Sequence, residues 1–419
     1  MKVIVCHPAQ QHSYRLAAAF KQGKILGAYI TTVYYKPYSF TWLVSAILKG
    51  KFKEKAEGRH TNELNDNEVI QFCEIEGLLK LLALNVPFFS RFYNYLKYDT
   101  ADRFAKKVAQ YAISNHVDAV VTYDDCSPLL FEILRDKAPQ ILRILDVSAA
   151  SPLYMRQIYD KDLKISPSFG RRLKTEMARC WDPEILDRAK REIDSSQKFL
   201  VPSRFVSTSL KYSGVKENQM LYCPYGVDVA QFSQKSYENV KAMRARPLRF
   251  IYVGGVKELK GISYLLDAFM NIPQDKAELT VVGAFNSQDE DIQPYLGRVH
   301  FKGMVLHSEV PKLLRNADVF VFPSLGEGFS LAILEAAAVG LPLIISENTG
   351  VTDIIRNQRE GLVIPIQSSK AIEEAVMWFI NHPEKICPMG LAARKKALEY
   401  TWERYYKKAA EQIRRSLHA

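Results

Sequence analysis

The stretch "DVFVFPSLGEGFSLAILEAAAVGLP", residues 318–342, decides the fold class. Its VFVF run is short, apolar throughout and rich in β-branched and aromatic residues, the pattern of a strand buried on both faces of a parallel sheet. Pro323 and Ser324 end that strand. Gly326 and Gly328 flank Glu327, so the backbone there turns tightly and approaches a ligand closely. The run LAILEAAAV consists of strong helix formers, stops at Gly340 and is followed by Pro342. A strand, a glycine loop and a helix in that order place the helix N-terminus at the C-terminal edge of a parallel sheet. Free N–H groups and the positive dipole end favour an anion there, the dipole by roughly 0.3–2 kcal/mol. Glu327 stands before the helix beside this anion site, and Glu335 lies about one and a half turns inside it.

A second strand-to-helix turn carries basic residues. In "YVGGVKELKGISYLLDAF", residues 252–269, a strand ends at Gly254 and Gly255, Lys257 and Lys260 follow, and Gly261 opens a helix. Lysines at such a turn suit a diphosphate. Neither GxGxxG nor GxxxxGK[ST] occurs, so a dinucleotide dehydrogenase and a P-loop NTPase are poorly supported. Two carboxylates flanking an anion site suit a ligand with hydroxyls on both sides of its phosphates, and a nucleotide sugar is such a ligand. A glycoside hydrolase also uses two carboxylates, but they must straddle one glycosidic bond at about 5–9.5 Å. Two acids from one loop and helix beside an anion site fit a diphosphate better.

Outward from these turns, short apolar runs alternate with amphipathic stretches, the signature of a parallel sheet with crossover helices. Residues 2–6, 26–32, 117–123, 140–147 and 198–203 form a first series of strands. Residues 219–228, 248–255, 277–283, 299–303, 318–324, 342–346 and 361–365 form a second. With 419 residues the chain exceeds one ordinary core. The expected fold is α/β, with two doubly wound Rossmann-like domains. Residues 1–215 form an N-terminal acceptor-binding domain and 216–395 a C-terminal nucleotide-sugar-binding domain. Residues 396–419 form a basic amphipathic helix that packs on the protein, with Thr401 as its N-cap.

Composition narrows the function. The net charge of +11 favours acidic partners such as phosphorylated substrates or an anionic membrane face. No RNP, helix-turn-helix or zinc pattern accompanies it, so no nucleic-acid partner is expected. The six cysteines are scattered without CxxC pairs or zinc spacing, which reads as a reduced, cytoplasmic protein with no metal. No run reaches the roughly 18 apolar residues that span a bilayer. Two segments, 34–55 and 78–98, mix aromatics, leucines and cations. They fit interfacial helices on an anionic membrane surface and equally fit two internal helices of the first domain.

Residues 200–405 resemble a retaining family 4 glycosyltransferase of the GT-B fold (glycosyl transferases group 1). Glu327 and Glu335 match its E-x7-E, and Val253, Gly254, Lys260 and Gly261 match its "vG…KG" turn. Pro224, Gly226, Val227, Asp228 and Phe232 match its "P-x-G-V-D…F", and Asp353 matches a further acidic position. The resemblance implies transfer of a sugar, with retention, from a nucleotide sugar to an acceptor hydroxyl. The acceptor is a saccharide or lipid-linked saccharide of cell-surface glycan biosynthesis, reached from the cytoplasm and in one variant at the inner face of the cell membrane. The donor is a UDP- or GDP-type nucleotide-diphosphate sugar, with no other cofactor and no metal.

The resemblance also implies residue roles. The diphosphate lies against Lys260 and the amides of Gly328, Phe329, Ser330 and Leu331, within the turn that holds Gly254, Gly255 and Lys257. Glu335 holds the ribose, Glu327 holds the donor sugar's hydroxyls, and Met304 and Val305 touch the base; the final helix, around Trp402, crosses back onto the first domain. Two departures stand out. Gly255 occupies the place of the family's usual Arg, where Lys257 offers a point charge in its stead. Asp146 aligns with the family's usual first-domain His and joins Glu327 as a catalytic candidate, with a carboxylate accepting the same hydrogen bond. His7, Gln11, His12 and Asp125 are the acceptor-side candidates, at the ends of first-domain strands. The alternative is a non-catalytic GT-B partner or nucleotide-sugar-binding protein, motivated by Gly255 and Asp146.

Overall fold

The computed structural model describes residues 1–9, 12–165 and 167–418. Two parallel sheets organise the chain. The first holds β1 (Val3–His7), β2 (Leu26–Thr31), β3 (Val69–Gln71), β4 (Ala119–Tyr123), β5 (Leu142–Asp146), β6 (Lys198–Val201) and β7 (Met220–Tyr222). Their spatial order is 3-2-1-4-5-6-7. The second holds β8 (Leu248–Val253), β9 (Ala277–Val282), β10 (His300–Gly303), β11 (Val319–Phe322), β12 (Leu343–Ser346) and β13 (Gly361–Ile364), in the order 10-9-8-11-12-13. Each sheet reverses direction once, between β1 and β4 in the first and between β8 and β11 in the second. Such switch points open a crevice at the carboxyl ends of the strands, where ligands bind in doubly wound folds.

All four residues of β11 are buried, as are all five of β4. That explains their unbroken apolar sequence: helices cover both faces, so no alternation is needed. The sequence reading differs from the structure at two strands. The stretch 219–228 was expected to open the second series, but Met220–Tyr222 pairs with β6 and closes the first sheet. The three-residue β3, beside β2, was not anticipated; VIQ is too short to carry a period.

The final helix, Trp402–His418, returns to the first domain and packs along the helix Ser13–Gln22. Its Tyr405, Tyr406, Ala409, Ala410 and Ile413 are buried. Arg15 stacks 4.1 Å over the Trp402 ring and donates to the Tyr406 hydroxyl at 3.1 Å. Where the chain recrosses, a Cβ on Gly226 would lie 2.3 Å from the Thr401 carbonyl carbon. Only glycine lets the two backbones pass so closely.

Candidate functional site

The loops after β8 and β11 flank the second sheet's switch point and are stitched together. Leu325 N–H and Ser324 Oγ both donate to the Leu259 carbonyl at 3.1 Å. Gly261 has φ of 69°, and a Cβ there would lie 2.0 Å from the Pro323 carbonyl oxygen. A side chain at 261 would therefore force the loops apart, so the KG pair is a packing requirement. This approach brings the Lys260 ammonium into an ion pair with the Glu327 carboxylate. Both side chains remain about one-fifth exposed, 22% and 23%, so a ligand can reach them. Glu327 N–H donates to the Asn348 carbonyl at 2.8 Å, which holds its loop against the loop after β12.

The helix Leu331–Val339 follows. Ser330 is its N-cap residue but makes no side-chain capping bond. Gly340 ends the helix at φ 94°, with Gly340 N–H on Ala337 O and Leu341 N–H on Ala336 O. Glu335, one turn in, accepts from or donates to His307 Nε2 at 3.0 Å, depending on protonation. Burial raises the Glu335 carboxyl above its ordinary range, and the His307 contact opposes that shift. Met304 is exposed and Val305 half-buried on the loop after β10, beside His307. Lys257 is exposed next to Gly255, whose carbonyl accepts from the Tyr252 hydroxyl at 2.8 Å. Thus Lys260, Glu327, Gly254, Gly255, Lys257, Met304, Val305, Glu335 and the 328–331 amides lie on loops and helix starts at one sheet edge.

The first domain faces this edge through the loop after β5. A Cβ on Gly328 would lie 1.9 Å from the Ser148 carbonyl oxygen. Ser203 Oγ donates to the Gly328 carbonyl at 2.6 Å, and Arg204 N–H donates to Asp353 at 2.6 Å. Phe329 packs edge-on against Tyr225, with ring centroids 5.8 Å apart.

Asp146, at the end of β5, is 1% exposed. Its Oδ2 has no hydrogen-bond partner among the described residues. Burial, with Asp124 nearby, pushes its carboxyl well above the carboxylate range. A charge at this position would be costly without a cationic partner, and a hydrogen bond from Tyr123 opposes the upward shift. Around it stand Tyr123, Tyr225, Tyr405 and Cys223.

Among the acceptor-side candidates, His7 ends β1, is buried, and accepts from Ala9 N–H through Nδ1 at 2.8 Å. His12 lies between Tyr123 and Tyr225, 5.7 and 4.7 Å from their ring centroids. Burial, helped by Arg15, lowers its pKa to about 4. Asp125 sits in the left-handed region at φ 63° and pairs with Lys97 at 2.8 Å and Arg179 at 3.8 Å. Gln11 lies outside the described residues.

Sequence reasoning passed over His307, Ser148 and Ser203. Nothing in "VLHSEV" marks His307, because its partner Glu335 meets it only in the folded chain.

Residues 247–382 match the model of glycosyl transferases group 1. That stretch runs from β8 through β13. It contains both stitched loops, Glu327 and Glu335. The amylovoran biosynthesis glycosyltransferase AmsK of Erwinia amylovora is 26% identical over 252 residues, 55% of this chain and 60% of that protein. The D-rhamnosyltransferase WbpZ of Pseudomonas aeruginosa is 31% identical over 181 residues, 41% of this chain and 47% of its own. The matches thus span about half the length of these curated relatives. Among solved structures, sucrose-phosphate synthase of Thermosynechococcus elongatus superposes with a TM-score of 0.67 at 18% identity. That match covers 100% of this chain and 99% of that one. HepE of Anabaena, solved with UDP, superposes at 0.60 and 15% identity, covering 99% of each chain. With these structural neighbours, the two facing parallel sheets make the fold GT-B.

Proposed function

We propose that this protein transfers a sugar from a nucleotide-diphosphate sugar to an acceptor hydroxyl, with retention, in the assembly of a cell-surface glycan. The observation that carries the reading is the Lys260–Glu327 ion pair at the second sheet's switch point, beside a helix start without a side-chain cap. A diphosphate there competes for Lys260 and frees Glu327 to accept from the donor sugar's hydroxyls. Lys260 and the amides of 328–331 stabilise the leaving diphosphate, which is electrostatic catalysis by preorganised donors. Glu335, held by His307, accepts from the ribose. The charge of the leaving group falls on these groups, so the scheme includes no metal. Attack comes from the leaving-group face, the diphosphate takes the acceptor's proton, and no residue acts as nucleophile. Asp146, buried at the end of β5, offers a hydrogen-bonding carboxyl from the first domain. The Anabaena neighbour's UDP supports a UDP-type donor, and a GDP-type donor suits the same contacts. The name of AmsK, from amylovoran biosynthesis, supports a saccharide as acceptor, which in this reading is free or lipid-linked.

The test begins with a thermal-shift panel of UDP- and GDP-sugars, in which a ligand at 100 times its Kd stabilises by about 2.7 kcal/mol. The best donor is then turned over by wild type and by Glu327→Gln. The substitution lowers turnover about 10²–10³-fold with nucleotide affinity kept. Undiminished turnover in Glu327→Gln refutes the site. Tight nucleotide binding without turnover on any donor favours the non-catalytic reading.

A further inference from the structure

Two neighbouring helices of the first domain are built inside out. The helix Phe40–Ile47 buries Thr41 and Ser45 and exposes Phe40, Leu43 and Ile47, the last to 82%. The helix Glu74–Asn85 buries Gly77, Lys80 and Ala83 and exposes Ile75, Leu79 and Leu82. Water-soluble helices do the reverse. The inversion has local causes. Thr41 N–H and Oγ1 both donate to Glu74 Oε1, at 2.7 and 2.6 Å, so polar groups join the two helices. A Cβ on Gly77 would lie 2.8 Å from Thr32, so that face lies tight against the sheet edge. Lys80 reaches inward to the Pro8 carbonyl at 2.8 Å. The apolar faces are left pointing outward.

The patch continues into the turn Pro87–Phe92, where Phe88 is 71% exposed and Phe92 lies under the Arg91 guanidinium at 4.7 Å. Of the exposed large hydrophobic side chains, thirteen fall between Tyr38 and Tyr95, so the concentration is not the ordinary scatter of surface apolar groups. The flanking charge is predominantly positive, although Glu74 and Glu76 open the second helix. Residues 34–55 carry five lysines and one acid, and 78–98 carry three cations and no acid. Lys49, Lys53, Lys55 and Arg91 are exposed.

We propose that this face docks on an anionic lipid bilayer. Aromatic and leucine side chains enter the interfacial region while lysines pair with anionic headgroups. Charge complementarity favours lipid over a second copy of the chain, whose equally basic patch would repel it. Among the described residues no helix is long and apolar enough to cross a membrane, so the contact is superficial. Lys80 ties the patch to Pro8, just past the end of β1, at the first sheet's carboxyl edge. On the transfer reading proposed above, on which this last consequence rests, docking there presents a lipid-linked acceptor to the cleft.

The experiment is flotation of the full chain with vesicles of phosphatidylcholine alone or mixed with phosphatidylglycerol, at low and high salt. Its outcome does not depend on turnover. Wild type floats with the anionic vesicles, and less so at high salt. Ile47→Asp combined with Leu82→Asp, both exposed positions, abolishes flotation while unfolding temperature and nucleotide binding stay unchanged. Lys49→Glu combined with Lys53→Glu weakens it at least about tenfold. Failure of wild type to float at low salt overturns the proposal, as does equal flotation of the Asp variant. A wild-type dimer dispersed by the Asp variant, with no vesicle binding, assigns the face to a second copy and overturns it as well.

Discussion

Gly328→Ala is the sharpest perturbation of the domain contact. A Cβ at this position would lie 1.9 Å from the Ser148 carbonyl oxygen, 2.9 Å from its carbon and 3.2 Å from Ala149 Cα. Real Cβ contacts begin near 3.0 Å, so the two loops must separate by about 1.1 Å, the difference between 3.0 and 1.9. Both sides of the contact are backbone, and no rotamer change relieves it. Retreat is blocked on the other side, because the Gly328 carbonyl accepts from Ser203 Oγ at 2.6 Å and Gly350 packs against the same oxygen. The displacement therefore falls on Glu327, one residue away, or on the cleft as a whole. Overpacking of this kind costs about 1–3 kcal/mol in stability. A misplacement near 1 Å at a reacting centre costs roughly 10²-fold in rate. The assay is steady-state turnover of the donor found by thermal shift, with unfolding temperature measured on the same samples. Two controls calibrate it. Gly326→Ala meets side-chain atoms rather than backbone, the end of Met155 at 2.3 Å and Phe205 Cζ at 3.2 Å, and Gly297→Ala meets nothing within 4 Å. Both should stay within a few-fold of wild type, judged by how cheaply side-chain ends move. A folded Gly328→Ala protein with wild-type kcat refutes the reasoning that this contact sets the site's geometry.

Two further outcomes follow from other groups. His307→Ala removes the 3.0 Å contact that holds Glu335 and should raise KM for the nucleotide sugar about 2–10-fold with kcat little changed; an unchanged KM separates His307 from the donor site. His12 has a folded pKa near 4, below the ordinary 6.5, so the unfolded chain binds its proton first. Its contribution is complete above pH 6.5 and disappears as pH falls toward 4, by about 3 kcal/mol. In urea unfolding, wild type should therefore lose about 3 kcal/mol relative to His12→Phe as pH falls from 6.5 toward 4, and parallel pH profiles would contradict the assignment. Comparing the two proteins cancels Glu192, whose folded pKa of about 8 gives the opposite slope in both.

Much of the second domain was legible from the sequence because its signals are local. A strand buried on both faces is a run such as VFVF; a helix end is a Gly340; a close approach is a Gly261. Each is decided by backbone conformation within a few residues. Eight of the donor-side positions sit in two short segments, 254–260 and 328–331, each legible from its own local sequence. The first domain was harder to read. The three residues of β3 carry no period, and Met220–Tyr222 belongs to the first sheet only because β6 offers a free edge. The surroundings of Asp146 could not be read along the chain, since its neighbours Tyr123, Tyr225 and Tyr405 come from three distant parts of it.

Sequence alone, through period, glycine placement and strand length, pointed to two doubly wound sheets, which the structure contains, and to the anion site proposed between Glu327 and Glu335. Tertiary structure decided what those residues meet: Lys260 on Glu327, His307 on Glu335, and the Ser148 backbone against Gly328. It also decided that Thr41 and Lys80 face inward while Ile47 and Leu82 face out. The physical reason is the same in each case. Backbone preferences act over a few residues and can be read along the chain, whereas burial and pairing depend on which segments the fold brings together.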